Sequence, residues 1–378
     1  MQMPRNEIAV LERAYPPFRQ SIPDAYQELT DEQAVEKIGP VRERLGRSLL
    51  ILGHHYQRDE VIQFADHRGD SYGLAKKAAG DREAKWIVFC GVHFMAESAD
   101  ILTADEQTVI LPDLQAGCSM ADMADIDQVE EAWERIASIV PEEQVMPIAY
   151  MNSTAALKAF CGRKGGAVCT SSNASGLFDW AFARRARLFF FPDQHLGRNV
   201  GVARGIRLDE IALYDPHAPL GGLSREDILR TRVILWKGHC QVHGRFAPEQ
   251  VDYFRERFPD VKVIVHPECT LEVVRKADHV GSTGYIIKTI REAPSGTKWA
   301  VGTEIHLVNR LRQENPDKMV VSLVPGVCLC STMNRIDPQH LLWVIESLEA
   351  GQVVNDIIVP EPIAGEARLA LDRMLQIS

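Results

Sequence analysis

Short apolar runs, each closed by polar or small residues and followed by a helical pattern, constrain this chain more than any other feature. Residues 49–53 (LLILG) run into His54-His55-Tyr56, and residues 86–92 (WIVFCGV) lead into a helical stretch at 94–102. Residues 108–112 (TVILP) point towards Cys118. The theme resumes at 145–150 (VMPIAY) before Asn152, at 167–169 (AVC) before Thr170-Ser171-Ser172-Asn173, and at 188–192 (LFFFP) before Asp193-Gln194-His195. A third group has 261–265 (VKVIV) before His266-Pro267-Glu268 and a stretch ending at Ser282-Thr283. It continues with 299–301 (WAV) before Gly302-Thr303-Glu304, and 319–324 before Cys328 and Cys330. Strands alternating with helices predict α/β layers with parallel sheets. In such sheets ligands gather at the carboxyl ends of the strands, where these polar triplets fall.

The units sort into three groups, each followed by a cysteine in a polar setting: Cys118, Cys240 and Cys330. That grouping predicts three similar αβα domains around one shared centre, over residues 1–125, 126–245 and 246–378. The intervals between the cysteines differ, and the sequence carries no clear repeat. The first ~45 residues read as a helical extension of the first domain, and 363–376 as an amphipathic closing helix. A chain of 378 residues has length enough for two or three domains with their own cores.

Net charge is −10, without basic runs, which argues against nucleic acid or an anionic membrane as partner. Small anionic substrates stay open, because helix N-termini or a metal make a site locally positive. No stretch approaches the ~18 apolar residues of a membrane span. The opening MQMPRNEIAVLERAYPP has acidic residues and no apolar core, so a secretory leader is not expected and a cytoplasmic location is. Eight cysteines in that compartment point away from structural disulfides. Cys90, inside an apolar run, reads as a small buried hydrophobe.

His54, His55 and Tyr56 would line the mouth of a strand end. Asp70-Ser71 opens a helix, where it either caps the backbone or offers N–H groups and a hydroxyl to a carboxylate. His266-Pro267-Glu268 sets an imidazole beside a carboxylate across a stiff turn, an arrangement suited to proton transfer. Ser282-Thr283-Gly284 has the composition of an anion-binding turn and equally of a plain one. Three thiolates from distant segments suit a cubane cluster with one open iron, which acts as a Lewis acid. Zinc with mixed Cys/His ligands suits the same residues, and spacing does not separate the two metals.

Taken in order, the motifs resemble the quinolinate synthase family from about residue 50 to about residue 348. The matching segments are HHYQRDEVIQFAD, GDSYGLA, IVFCGVHFMAESADIL, LPDLQAGCSMAD, AYMNSTAALKAF, CTSSNA, PDQHLGRNV, WKGHCQVHGRF, HPEC, STG and GTE. The resemblance implies a pseudo-threefold arrangement of three αβα sandwich domains around a central Fe–S active site. It implies one [4Fe–4S] cluster per chain, with Cys118, Cys240 and Cys330 as ligands and one iron open. Cys330 is preferred to Cys328 because it keeps the Cys-x-x-Met spacing to Met333, and Cys269 is not a ligand in the family pattern. The resemblance implies contacts to iminoaspartate at His54, Ser71, Tyr150, Met151, Asn152, Ser171, His266, Pro267, Glu268 and Thr283, with Met151 and Pro267 acting through backbone or shape. Tyr56 and His243 match further active-site positions, and Tyr56, His54, Glu268 and His266 are the acid–base candidates.

The implied reaction condenses iminoaspartate with dihydroxyacetone phosphate to quinolinate, releasing phosphate and water, in NAD biosynthesis. L-aspartate oxidase is the implied supplier of iminoaspartate. The rival readings are a zinc-dependent lyase or hydrolase on the same Cys and His residues, and a non-catalytic Fe–S redox sensor. A sensor needs a partner-binding module, and no helix-turn-helix or basic stripe is evident.

Overall fold

The computed structural model describes residues 20–324 and 328–377. Strands that are apolar on both faces must be covered on both faces, which parallel sheets flanked by helices achieve. All six residues of β1 (Leu49–His54) are buried, as are all six of β5 (Val145–Tyr150). The fold is α/β, as the alternation of runs predicts.

Among the described residues there are three sheets. The first sets β1 beside β2 (His67–Gly69) on one side and β3 (Trp86–Cys90) on the other, with β4 (Thr108–Ile110) beyond β3. These strands are parallel, and the edge strand β14 (Asp356–Ile357) joins β4 antiparallel. In the second sheet β5 lies between β6 (Ala167–Cys169) and β7 (Arg187–Phe191). Beyond β7 come β9 (Val233–Trp236) and then β8 (Ile211–Tyr214). The third sheet sets β10 (Lys262–Val265) between β11 (His279–Val280) and β12 (Lys298–Gly302), with β13 (Met319–Ser322) beyond β12. In every sheet the chain leaves the first strand towards one neighbour and returns to its other side. Each sheet therefore has a topological switch point at the carboxyl end of β1, β5 or β10, where ligands bind in such folds.

The packing follows the strand period of two. In the third sheet Val263, Val265 and Ala300 enter the cluster on one face, while Ile264, Trp299 and Val301 enter the cluster on the other. The first two sheets share one continuous core. Closing elements cross between units. The helix Pro338–Glu349 packs on the helix Asp31–Leu45, and the helix Ile363–Gln376 packs on the helix Ala155–Arg163 of the second sheet. Gly162 permits that last contact, since a Cβ there would collide with the carbonyl of Glu366.

The expected N-terminal extension is helical where it is described, at Asp24–Gln27 and Asp31–Leu45, the latter opened by a Thr30–Gln33 capping box. Residues 1–19 lie outside the described residues. Strands β2, β8, β9 and β14 have no counterpart in the sequence reading. Among the described residues no helix is long and apolar enough to cross a membrane.

Candidate active site

The three switch points open onto one cavity. Its wall includes His54 and Tyr56 after β1, Tyr150 and Asn152 after β5, and His266 and Glu268 after β10. The ends of the second strands add one hydroxyl each: Ser71 after β2, Ser171 after β6 and Thr283 after β11. The ends of the outer strands add one thiol each: Cys118 after β4, Cys240 after β9 and Cys330 after β13. Equivalent places in three sheets thus carry equivalent chemistry.

Each thiol sits in the same local turn. The backbone N–H groups of Asp122, Gly244 and Asn334 bond the carbonyls of Cys118, Cys240 and Cys330, four residues back. In each case a one-turn 3-10 helix begins three residues after the cysteine, at Ala121, His243 or Met333. A peptide N–H from that turn reaches each sulfur. Cys328 is set apart: it is fully buried and bonds the Val242 carbonyl at 3.4 Å. Cys269 is likewise buried beneath the site.

Two histidines have their tautomers fixed by the chain. The N–H of Tyr56 donates to Nδ1 of His54 at 3.2 Å, and the N–H of Glu268 donates to Nδ1 of His266 at 3.4 Å. An accepting Nδ1 leaves the proton of a neutral ring on Nε2. In His266 that proton reaches the Ser171 hydroxyl at 3.2 Å. Burial pushes both rings down to about 3, so they stay neutral.

A hydrogen-bonded chain links all three sheets. Thr283 donates to the Tyr56 hydroxyl at 3.2 Å, which meets the Thr303 hydroxyl at 2.8 Å. Thr303 lies 3.2 Å from Nε2 of His243, whose Nδ1 lies 2.7 Å from Glu268. The other carboxylate oxygen of Glu268 accepts from Tyr150 at 2.5 Å. Burial pushes Glu268 up, but the neighbouring imidazoles of His266 and His243 and the bonds from His243 and Tyr150 bring it below the ordinary carboxylate value. Burial raises both Tyr56 and Tyr150 well above the usual phenol, so both remain donors. Nearby, burial and the Glu268 charge raise Asp193 well above the carboxylate range.

The donors that lie together are not the three cysteines expected to ligate a cluster. The thiol of Cys240, an imidazole nitrogen of His243 and a carboxylate oxygen of Glu268 lie within 4.8 Å of one another, and among the described residues this is the group able to hold a metal ion. The Cys-x-x-His turn folds the imidazole back beside its own cysteine, and the His243–Glu268 bond brings the carboxylate to the pair. Cys118 and Cys330 reach the same cavity but lie outside that donor group. The [4Fe–4S] set of three cysteines with one open iron therefore gives way to a mixed thiol–imidazole–carboxylate set. Such a set suits a borderline divalent ion.

Met151 and Pro267 are not on the cavity wall. The Met151 amide bonds the Cys169 carbonyl at 2.7 Å, and the Pro267 carbonyl accepts from Asn199 at 2.8 Å, so both brace the turns they occupy. Thr303, at the centre of the hydrogen-bonded chain, was missing from the site residues named from sequence. Its signal was the polar triplet Gly302-Thr303-Glu304 at the end of β12.

The family model for the Quinolinate synthetase A protein matches residues 36–376. The chain belongs to the quinolinate synthetase A family. A quinolinate synthase of Geobacillus kaustophilus is 58% identical over 360 residues, covering 94% of this chain and 97% of that protein. One from Acidobacterium capsulatum is 57% identical over 357 residues, covering 94% and 95%, and one from Bacillus anthracis is 53% identical over 370 residues, covering 98% and 100%. The match takes in all three sheets, every residue on the cavity wall and the helix that closes the chain.

Proposed function

We infer that the cavity synthesises quinolinate for NAD biosynthesis, from iminoaspartate and dihydroxyacetone phosphate, releasing phosphate and water. The observation that carries this is the 58% identity to a quinolinate synthase over nearly the whole chain, joined to a cavity whose donors suit a dicarboxylate. The rival zinc hydrolase would use the same donors but yield no quinolinate.

The chain's own groups divide the work. Ser71, Ser171, Asn152, Tyr150 and the neutral Nε2–H groups of His54 and His266 are donors for the two carboxylates of iminoaspartate. Because both histidines are neutral, they bind and orient and do not supply protons. Glu268, ionised and bonded through His243, is the base that takes a proton from carbon or nitrogen. Tyr56 is the acid that protonates a leaving hydroxyl, with Thr283 and Thr303 aligning it. Met151 and Pro267 act through their backbones by bracing the turns that carry Asn152 and Glu268. A divalent ion on Cys240, His243 and Glu268 would supply Lewis-acid polarisation of a substrate oxygen. The reaction requires no net oxidation or reduction.

The three sheets support reading the chain as three αβα domains in pseudo-threefold relation, divided near residues 125 and 245. The eight free thiols suit a reducing cytoplasm. L-aspartate oxidase, as a source of iminoaspartate, fits the same pathway.

The test is anaerobic incubation with iminoaspartate generated in situ and dihydroxyacetone phosphate. Quinolinate and phosphate should appear together in equal amounts. Phosphate without quinolinate would overturn the reading in favour of a hydrolase.

A further inference from the structure

Tyr56 follows the first strand of the first sheet, yet both ends of it are held from the junction of β12 and its following helix in the third. Its hydroxyl meets Thr303, the residue that follows β12. Its backbone is gripped from the helix Ile305–Glu314, which starts two residues later. Arg310 on that helix donates through Nη1 to the His55 carbonyl at 2.9 Å and through Nη2 to the Gln57 carbonyl at 2.7 Å. Its Nε reaches Asp59 at 2.8 Å. The Arg310 side chain is 9% exposed, whereas Asp59 is 48% exposed.

An arginine serving only as an ion-pair partner across a seam would need Asp59 alone. Arg310 instead holds the peptide groups on either side of Tyr56. Fixing both peptides fixes the direction of the Cα–Cβ bond, and so where the phenol oxygen falls at the far end of a rigid ring. Only the planar guanidinium fork serves two carbonyls and a carboxylate at once, and lysine cannot reproduce it. On the opposite side Gln57 donates to the Met333 carbonyl at 3.1 Å, which leaves the turn little freedom.

We propose that Arg310 is a positioning residue for Tyr56, and that together with Thr303 it ties alignment of the phenol to the seating of the third sheet's helix against the first sheet. The proposal rests on the acid role given to Tyr56 above. Misplacing a reacting group by about 1 Å costs on the order of 10²-fold in rate. Arg310→Lys is therefore expected to lower kcat between about 10- and 100-fold, with KM for both substrates nearly unchanged.

The decisive experiment is a double-mutant cycle on the metal-loaded enzyme: wild type, Tyr56→Phe, Arg310→Lys and the double variant, scored by kcat for quinolinate. If Arg310 acts through the Tyr56 hydroxyl, Arg310→Lys costs little more once that hydroxyl is gone. Losses that multiply, or wild-type kcat in Arg310→Lys, overturn the proposal while leaving the role of Tyr56 intact. Full activity in Tyr56→Phe alone would instead remove that role, and the proposal with it. Amide hydrogen exchange supplies a second readout, with faster exchange expected at residues 55–57 in Arg310→Lys and in Arg310→Gln. Unchanged exchange in both variants counts against the clamp.

Discussion

A single peptide N–H sets the tautomer of His54 and of His266. Each ring accepts from the amide two residues downstream, which leaves Nε2 as the donor, and each is buried enough to stay neutral. The sequence offers His-x-Tyr and His-x-Glu, from which an acid–base role is a fair reading; the backbone bond that makes the rings donors is a property of the folded turn. The thiols repeat the lesson. Cys118, Cys240 and Cys330 stand in polar segments and reach the cavity, whereas Cys328 is buried against the Val242 carbonyl. The donor group itself was not legible, since His243 and Glu268 meet Cys240 only through the turn and the bond between them. Removing the thiol should therefore empty the metal group. Cys240→Ala is expected to lose most bound metal by elemental analysis of the purified protein, whereas Cys328→Ala should retain it. Equal metal in Cys240→Ala and wild type would contradict the donor set.

Among the elements, the runs that form β1, β3 to β7, β10, β12 and β13 were legible, down to the three-residue β4 and β6, whereas β2, β8, β9 and β14 were not. β1, β5, β7 and β10 each carry enough consecutive apolar residues to stand out, whereas β2 and β14 have three and two residues and are defined by the strand beside them. The run Val233-Ile234-Leu235-Trp236 is apolar throughout, but it is short and flanked by charged residues, so it gave no strand reading. The closing helix Ile363–Gln376 was anticipated from its amphipathic pattern, but its seat was not, because it docks on a helix about 200 residues earlier. That seat depends on Gly162. In Gly162→Ala the added methyl meets the Glu366 carbonyl, and overpacking of this kind costs about 1–3 kcal/mol. A lower melting temperature is expected, with faster amide exchange along 363–376. A variant as stable as wild type would show that the two helices are not held so close.

For the whole molecule, the repeat hidden in the sequence is one of position. Three sheets place a polar pair, a hydroxyl and a thiol at corresponding strand ends, although no two segments align as text. Converging these ends buries many titratable groups in one place, and this makes stability depend on pH. Burial pushes His54 down to about 3 and His55 down to about 4, so the folded chain refuses protons that the unfolded chain takes up near pH 6.5. Stability should accordingly fall as pH drops from about 6.5 towards 4, by at most about 1.4 kcal/mol per pH unit for each such histidine. His340 acts in the opposite sense. Burial lowers it, but the bond and charge of Asp337 raise it above its ordinary value, so its contribution is full below about pH 6.5 and fades as pH rises. Urea denaturation at pH 7.5 and 5.5 should show a shallower loss in His55→Gln than in wild type, and an identical loss would contradict the assignment.

Glu268 is where the bonds from Tyr150 and His243 meet, and it also belongs to the metal group. The direct measurement is kcat for quinolinate formation by wild type and Glu268→Gln, under anaerobic conditions at matched metal content, with melting temperatures taken on the same samples. Wild type should form quinolinate, and the variant should be slower by at least about 10²-fold while still folded. A folded, metal-matched Glu268→Gln enzyme with undiminished turnover would contradict the account, as would a wild-type protein that makes no quinolinate at all.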